Sequence, residues 1–127
     1  MSIETLEKVR KLEQQSQRHL DKLEDEERKF KVYEEELMNA SHESLYYLNE
    51  LTYFNLTRGD EGNLNQNIEN MSRLMRELEG YFQEREEDFK SQKRKLEEQL
   101  AELYVEKKRL LLTEEEKKQK GNENGKG

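Results

Sequence analysis

The sequence contains no cysteine, no proline and no tryptophan, and only 31% of its 127 residues are hydrophobic. Without cysteine, the chain has no disulfide framework, no thiolate nucleophile and no cysteine-ligated zinc. Ordinary globular domains are about 45–50% apolar, so this composition is too polar to fill a sizeable compact core. These shortages favour an elongated helical protein over a globular enzyme.

Long hydrophobic runs are also missing. The longest one covers residues 45–48, whereas a membrane span needs about 18 consecutive apolar residues. The first thirty residues contain no apolar block of the kind found in signal peptides. We therefore expect no membrane interaction, no signal for the general (Sec) secretion pathway and a cytoplasmic location.

Charged residues, in contrast, are abundant and mostly acidic. They make up 42% of the chain, and 30 acidic against 23 basic residues give a formal net charge of −7. That sign disfavours binding to nucleic acid or to anionic lipid. Alanine, glutamate, lysine, leucine and arginine account for 69 of 127 residues, which is typical of coiled coils and long helices. The composition therefore predicts an all-α protein with no nucleic-acid partner.

Apolar residues recur every seven positions in both halves of the chain. In the second half, steps of seven from Ile68 to Leu110 meet an apolar residue every time. In the first half, steps of seven from Val9 to Leu51 are interrupted only at Ser16 and Ser44. Such repeats predict two helices that pack along a shared seam, as in coiled coils. Further apolar residues flank the seam on the first helix: Leu12, Leu20, Tyr33, Ala40, Tyr47, Leu48 and Phe54.

Two closely spaced glycines, Gly59 and Gly62, separate these repeats. Gly59 suits the left-handed conformation that ends a helix, and Asn63 with Gln66 resembles a capping box that starts one. We therefore predict an antiparallel, coiled-coil-like two-helix hairpin over residues 1–113, in which Phe30 lies near Phe89. Helix 1 is expected at about 3–57, the central turn near 57–63, and helix 2 at about 64–113 or slightly beyond. Residues 114–127 lack apolar side chains and are expected to form a frayed or disordered tail.

No constellation of ionisable residues resembles a catalytic or metal site. His42-Glu43 lacks the second histidine of a zinc-binding helix, because Tyr46 occupies that position. The segment from Gly59 to Gly62 carries two acids and no adjacent Lys-Ser/Thr pair, so it is not a phosphate-binding loop. A two-helix hairpin also offers no concavity of the size that small ligands require. We expect no catalysis, no metal and no cofactor.

Residues 45–56 hold more apolar side chains than one seam needs, with eight apolar or aromatic residues in twelve. Consecutive helical residues point about 100° apart, so these side chains cannot all face helix 2. Tyrosine suits a second contact surface, since its ring buries area while its hydroxyl tolerates water. Two alternatives stay open: the aromatics widen the hairpin core, or they close a homodimeric four-helix bundle. We predict a partner-binding surface with five exposed members: Tyr46, Tyr47, Tyr53, Phe54 and Leu56.

A soluble, cysteine-free hairpin of two long helices with a glycine-containing turn resembles the small WXG-type proteins of bacterial type VII secretion systems. The acidic, tryptophan-free sequence most resembles the LXG-associated α-helical proteins of that group, which are small partners of LXG toxins. Phe54-Asn55-Leu56 and Gly59 stand where a WXG protein carries Trp-x-Gly. The resemblance implies a targeting factor that binds the N-terminal LXG domain of a toxin, or a second small helical protein. It also allows export of the chain together with its partner.

Overall fold

The structure, a computed structural model, describes the backbone of residues 5–125 and the side chains of residues 5–119. Helix α1 spans Leu6–Glu50, a 3₁₀ turn follows at Leu51–Tyr53, and helix α2 spans Arg58–Gly125. The described residues contain no β-strand. The predicted all-α helical hairpin is therefore confirmed.

Helix α1 begins with a threonine cap. The hydroxyl of Thr5 accepts a hydrogen bond from the backbone N–H of Lys8 at 3.3 Å, and its carbonyl accepts one from the N–H of Val9 at 3.2 Å. The first bond satisfies a backbone donor that has no carbonyl partner within the first turn, and the second is the first of the regular bonds between residues four apart. Residues 3 and 4, which the predicted helix included, lie outside the described residues.

The connection between the helices occupies residues 54–57, slightly before the predicted turn. Phe54 adopts an extended conformation that ends the 3₁₀ turn, and its N–H donates to the carbonyl of Leu51 at 3.2 Å. Thr57 then caps α2, because its hydroxyl accepts the N–H of Asp60 at 3.2 Å. The predicted cap at Asn63 and Gln66 is wrong, since Thr57 provides a capping side-chain oxygen six residues before Asn63.

The two glycines expected in the turn instead lie in the first turns of α2. No residue of the described backbone has a positive φ angle, so the left-handed conformation predicted for Gly59 is wrong. A β-carbon added at Gly59 or Gly62 would meet no atom within 4 Å. Neither position is therefore reserved for glycine by a close contact or by backbone geometry.

The predicted disordered tail also needs correction, because α2 continues through residues 114–119 and ends at Gly125. Residues 114–118 are three glutamates followed by two lysines, which are strong helix formers. Glu114 and Lys118 fall four residues apart in the favourable order, with the acid nearer the N-terminus. The absence of apolar residues in this segment removes a packing face but not the tendency to be helical.

The chain divides into two compact units, where one hairpin domain was predicted. The turn unit is Glu26–Phe89, and the terminal unit comprises Met1–Asp25 with Lys90–Gly127. In the turn unit, the Phe30 ring centre lies 5.6 Å from those of both Phe82 and Phe89, which confirms the predicted contact of Phe30 with Phe89. The buried apolar residues of the terminal unit are aliphatic: Val9, Leu20, Leu23 and Leu103.

The seam of α2 follows the prediction, and every seventh residue from Ile68 to Leu110 is buried or half-buried. The seam of α1 differs. Its second column includes Leu20 and Leu48 of the predicted flanking set, whereas Tyr33, Ala40, Tyr47 and Phe54 of that set are exposed. The buried positions of a coiled-coil seam are separated alternately by three and four residues. The second column of α1 therefore begins four residues after Val9, and most of its members are polar. The buried or half-buried members of that column are Glu13, Leu20, Glu27, Glu34, Ser41 and Leu48.

Candidate partner-binding surface

The five residues predicted to bind a partner lie at the end of α1 and in the connection that follows. All five are exposed, from 37% of Leu56 to 84% of Tyr53. The structure therefore places these side chains outside the packed seam, against the alternative in which they widen the hairpin core. We call this set, Tyr46, Tyr47, Tyr53, Phe54 and Leu56, the aromatic surface.

Local packing orders the two tyrosines on α1. The rings of Tyr46 and Tyr47 meet edge to face, with centres 5.7 Å apart and planes at 71°. This is the arrangement that aromatic quadrupoles favour. The hydroxyl of Tyr47 also donates to Glu43 Oε1 at 3.5 Å, one helical turn earlier. The pair therefore presents two rings and an adjacent carboxylate to the outside.

Phe54 and Leu56 border a small concavity of about 210 Å³ where the connection meets the start of α2. Its lining combines exposed apolar and polar groups with the buried Leu64. A volume this small lies below the range of about 300–1,000 Å³ that is common for small-molecule pockets. The lining residues are Thr52, Phe54, Asn55, Leu56, Glu61, Leu64 and Asn65.

Sequence reasoning missed the continuation of exposed apolar residues along α1. Val32 and Tyr33 are both more than half exposed. Steps of seven connect Val32 with Tyr46, and Tyr33 with Tyr47. This spacing was available in the sequence, but the second of these columns was assigned to the seam, so its outward orientation went unnoticed.

One pair of acidic residues in the turn unit has unusual electrostatics. The pKa of Glu34 is raised, first by partial burial and then by the charge of Glu86 and a hydrogen bond to its carboxyl group, while Lys31 opposes the shift. Two carboxyl groups in contact favour a proton shared between them over a fully ionised pair. This pair belongs to the seam and not to the aromatic surface.

Other features of the described residues offer little chemistry. No group of three or more histidine, cysteine, aspartate or glutamate residues among them is arranged to hold a metal ion. His19 and His42 are both exposed. Neither helix, over the residues described, contains a stretch with the length and hydrophobicity of a bilayer span. In comparisons with known proteins, the chain matches no family model, no curated protein and no solved structure.

Proposed function

We propose that this chain is a non-catalytic helical adaptor that binds a helical protein partner through its aromatic surface. The observation that carries the proposal is the exposure of six large apolar side chains within residues 46–56, namely the aromatic surface and Leu51. Exposed single apolar residues are ordinary, but clusters of them mark interaction sites. Tyrosine in particular is enriched among residues that dominate binding energy at interfaces.

A helical partner fits this surface better than a small ligand does. Tyr46 and Tyr47 project from a continuous helix, α1, and their ring pair offers a convex face and not an enclosed cavity. Helix-on-helix packing buries such faces through residues spaced three, four and seven apart. The adaptor therefore contributes one more packing face to a helical assembly.

Within this proposal, the partner is the N-terminal LXG domain of a type VII secreted toxin, and the adaptor aids targeting or export of that toxin. The support is the resemblance of the sequence to LXG-associated α-helical proteins, together with the hairpin fold. The proposed site of action is the cytoplasm, where the adaptor meets the toxin before export.

A second candidate function is self-association as a homodimeric four-helix bundle. The favouring observation is that Val32 and Tyr33, both more than half exposed, extend the exposed apolar face of α1 beyond the aromatic surface. Light scattering on the purified protein separates the two candidates, since a 15.4 kDa monomer leaves the surface open to a partner.

The test of the adaptor proposal is a binding measurement with a defined partner. The chain is co-expressed with the tagged N-terminal helical domain of an LXG toxin, and affinity is measured on the purified components. The variant Tyr46→Lys with Tyr53→Lys is expected to weaken binding roughly 100-fold or more, because two interface anchors become charged. The matched control, Tyr104→Lys with Val105→Lys, changes two exposed residues of the terminal unit and should bind like wild type.

Circular dichroism of both variants accompanies the binding measurement. Unchanged helicity with lost binding supports the aromatic surface as the interface. If the Tyr46 and Tyr53 variant loses helicity or cooperative unfolding, these residues belong to the core, and the interface proposal fails. Wild-type affinity in the folded variant rejects it as well.

A further inference from the structure

The exposed face of α1 in the turn unit combines glutamates at a spacing of seven residues with neighbouring tyrosines. Glu36, Glu43 and Glu50 are spaced by seven and are all exposed. Tyr33 lies three residues before Glu36, while Tyr46 and Tyr47 lie three and four residues after Glu43. Residues at these separations are neighbours on a helix surface. We call these six residues the acidic tyrosine stripe.

Apart from His42, the surrounding segment has no basic residue to neutralise this stripe. Residues 32–57 contain five glutamates and neither lysine nor arginine, although the chain as a whole has 23 basic residues. The same segment holds five of the ten aromatic residues of the protein. Negative charge and aromatic surface are thus concentrated on the same stretch of chain.

Elsewhere the molecule covers its aromatic rings with its own cations. The guanidinium carbon of Arg85 lies 4.9 Å from the centre of the Phe89 ring, and Lys108 Nζ lies 5.4 Å from that of Tyr104. Within residues 32–57, no lysine or arginine exists one helical turn from Tyr46 or Tyr47 to do the same. A ring beside a carboxylate attracts cations both through its quadrupole and through the neighbouring charge.

We infer that the partner of this surface is a basic helix, with lysine or arginine repeating every seventh residue beside an apolar stripe. This inference rests on the proposed adaptor function and adds the chemistry of the partner. The spacing of seven on α1 selects a helix, because only a helical partner returns its cations at the same interval. The aliphatic stems of lysine and arginine cover the tyrosine rings, while their charged groups reach Glu36, Glu43 and Glu50.

The test uses two synthetic helical peptides and does not depend on knowing the partner. Both carry leucines along one face, flanked at every seventh position by lysine in one peptide and by glutamate in the other. Fluorescence anisotropy with the full-length protein is expected to show at least tenfold tighter binding of the lysine peptide. The preference should shrink when sodium chloride is raised from about 50 to about 500 mM, since salt screens exposed charges.

A triple variant tests whether the preference for the lysine peptide comes from the acidic tyrosine stripe. Glu36→Gln, Glu43→Gln and Glu50→Gln together should weaken binding of the lysine peptide by roughly five- to tenfold, about twofold for each exposed charge pair. The matched control, Glu77→Gln, Glu84→Gln and Glu87→Gln, removes the same charge from exposed positions of α2. It should change binding by less than about twofold. Equal losses in the two variants would reduce the effect to net charge and overturn the inference.

Other outcomes also decide the question. Failure to bind the lysine peptide, or equal binding of both peptides, overturns the inference. A wild-type dimer that the stripe variant dissociates overturns it in favour of a second copy of this chain as the occupant. Binding to the toxin domain tests the adaptor proposal separately from the basic partner. If the Tyr46 and Tyr53 variant loses binding to that domain while the stripe variant keeps it, the adaptor function stands and the basic partner is rejected.

Discussion

Equivalent positions in the two units carry opposite charge pairings. In the terminal unit, Lys107 Nζ lies 3.1 Å from Glu13 Oε1, whereas in the turn unit Glu34 hydrogen-bonds Glu86. Glu13 and Glu34 are three heptads apart on α1, and Lys107 and Glu86 are three heptads apart on α2. One seam position is therefore repeated, and only the residue opposite the glutamate differs. A glutamate in a helix seam has a stabilising or destabilising effect according to its neighbour on the other helix.

The units differ in packing as well. The turn unit combines a seam of phenylalanine rings with exposed tyrosines, while the buried apolar side chains of the terminal unit are aliphatic. All three glycines within residues 1–120 lie in the turn unit, and each disfavours helix relative to alanine. The unit proposed to bind a partner is thus also the one with the weaker intrinsic helix and the repulsive seam pair.

The largest effect is expected from the aromatic seam of the turn unit. Phe82→Ala should lower the free energy of unfolding by about 3–5 kcal/mol, because it removes a fully buried ring that packs on Phe30. Urea unfolding followed by circular dichroism measures the loss. Tyr53→Ala serves as the control and should stay within about 0.5 kcal/mol of wild type, since its side chain is exposed. Similar losses in both variants would contradict the division of these rings into core and surface.

A smaller effect is expected at the start of α2. Thr57→Ala should reduce stability by about 1 kcal/mol, since the N–H of Asp60 loses the hydroxyl that accepts it. Thermal unfolding measures the change, and Thr57→Ser should restore most of it. Asn63→Ala should have little effect. A larger loss of stability from Asn63→Ala than from Thr57→Ala would indicate that α2 begins at Asn63, as predicted from the sequence.

Replacing glycines of the turn unit by alanine should reduce the difference in helix propensity between the two units. Gly62→Ala and Gly80→Ala should each raise the stability by roughly 0.5–1 kcal/mol, because both lie within α2 and an added β-carbon meets nothing within 4 Å. Hydrogen exchange measured by mass spectrometry should show the added protection in the turn unit. A loss of stability in either variant would reveal a packing role for that glycine.

The smallest effects are expected from the two seam pairs, and they should have opposite signs. At pH 7, Glu34→Gln should raise stability by about 0.5 kcal/mol because it relieves repulsion from Glu86. Glu13→Gln should lower stability by a similar amount because it removes the ion pair with Lys107. Thermal unfolding of the two single variants beside wild type measures both changes. A destabilising Glu34→Gln would contradict the repulsive pairing.

The raised pKa of Glu34 predicts how the stability gain from Glu34→Gln changes with pH. Its raised pKa means that the folded state binds the proton more tightly than the unfolded chain does. Wild type therefore gains stability as pH falls through the folded pKa toward the ordinary glutamate value near 4.5. The advantage of Glu34→Gln should shrink over that window and vanish below it. An advantage that stays constant down to pH 3 would assign the effect to something other than this carboxyl group.

Much of this architecture was predictable from particular residues. The seven apolar positions from Ile68 to Leu110 correctly marked the seam of α2, since every seventh residue in that column is apolar. The exposure of the five aromatic-surface residues was also predictable, because residues 45–56 carry more apolar side chains than one seam holds. The polar members of the second column of α1 were missed, because Glu13, Glu34 and Ser41 give no apolar signal. The start of α2 was missed because Thr57 and Asn63 are both suitable caps.

The sequence by itself determined the class of structure, two long helices in a hairpin, because heptad periodicity and helix propensity are local properties of the chain. Only the tertiary structure decided which polar residues enter the seam, that Glu34 meets Glu86 while Glu13 meets Lys107, and which columns of α1 face outward. Those outcomes depend on the register between helices, and register is set by the sum of all contacts along both of them. The acidic tyrosine stripe became visible at that level, once the face of α1 that packs on α2 was known.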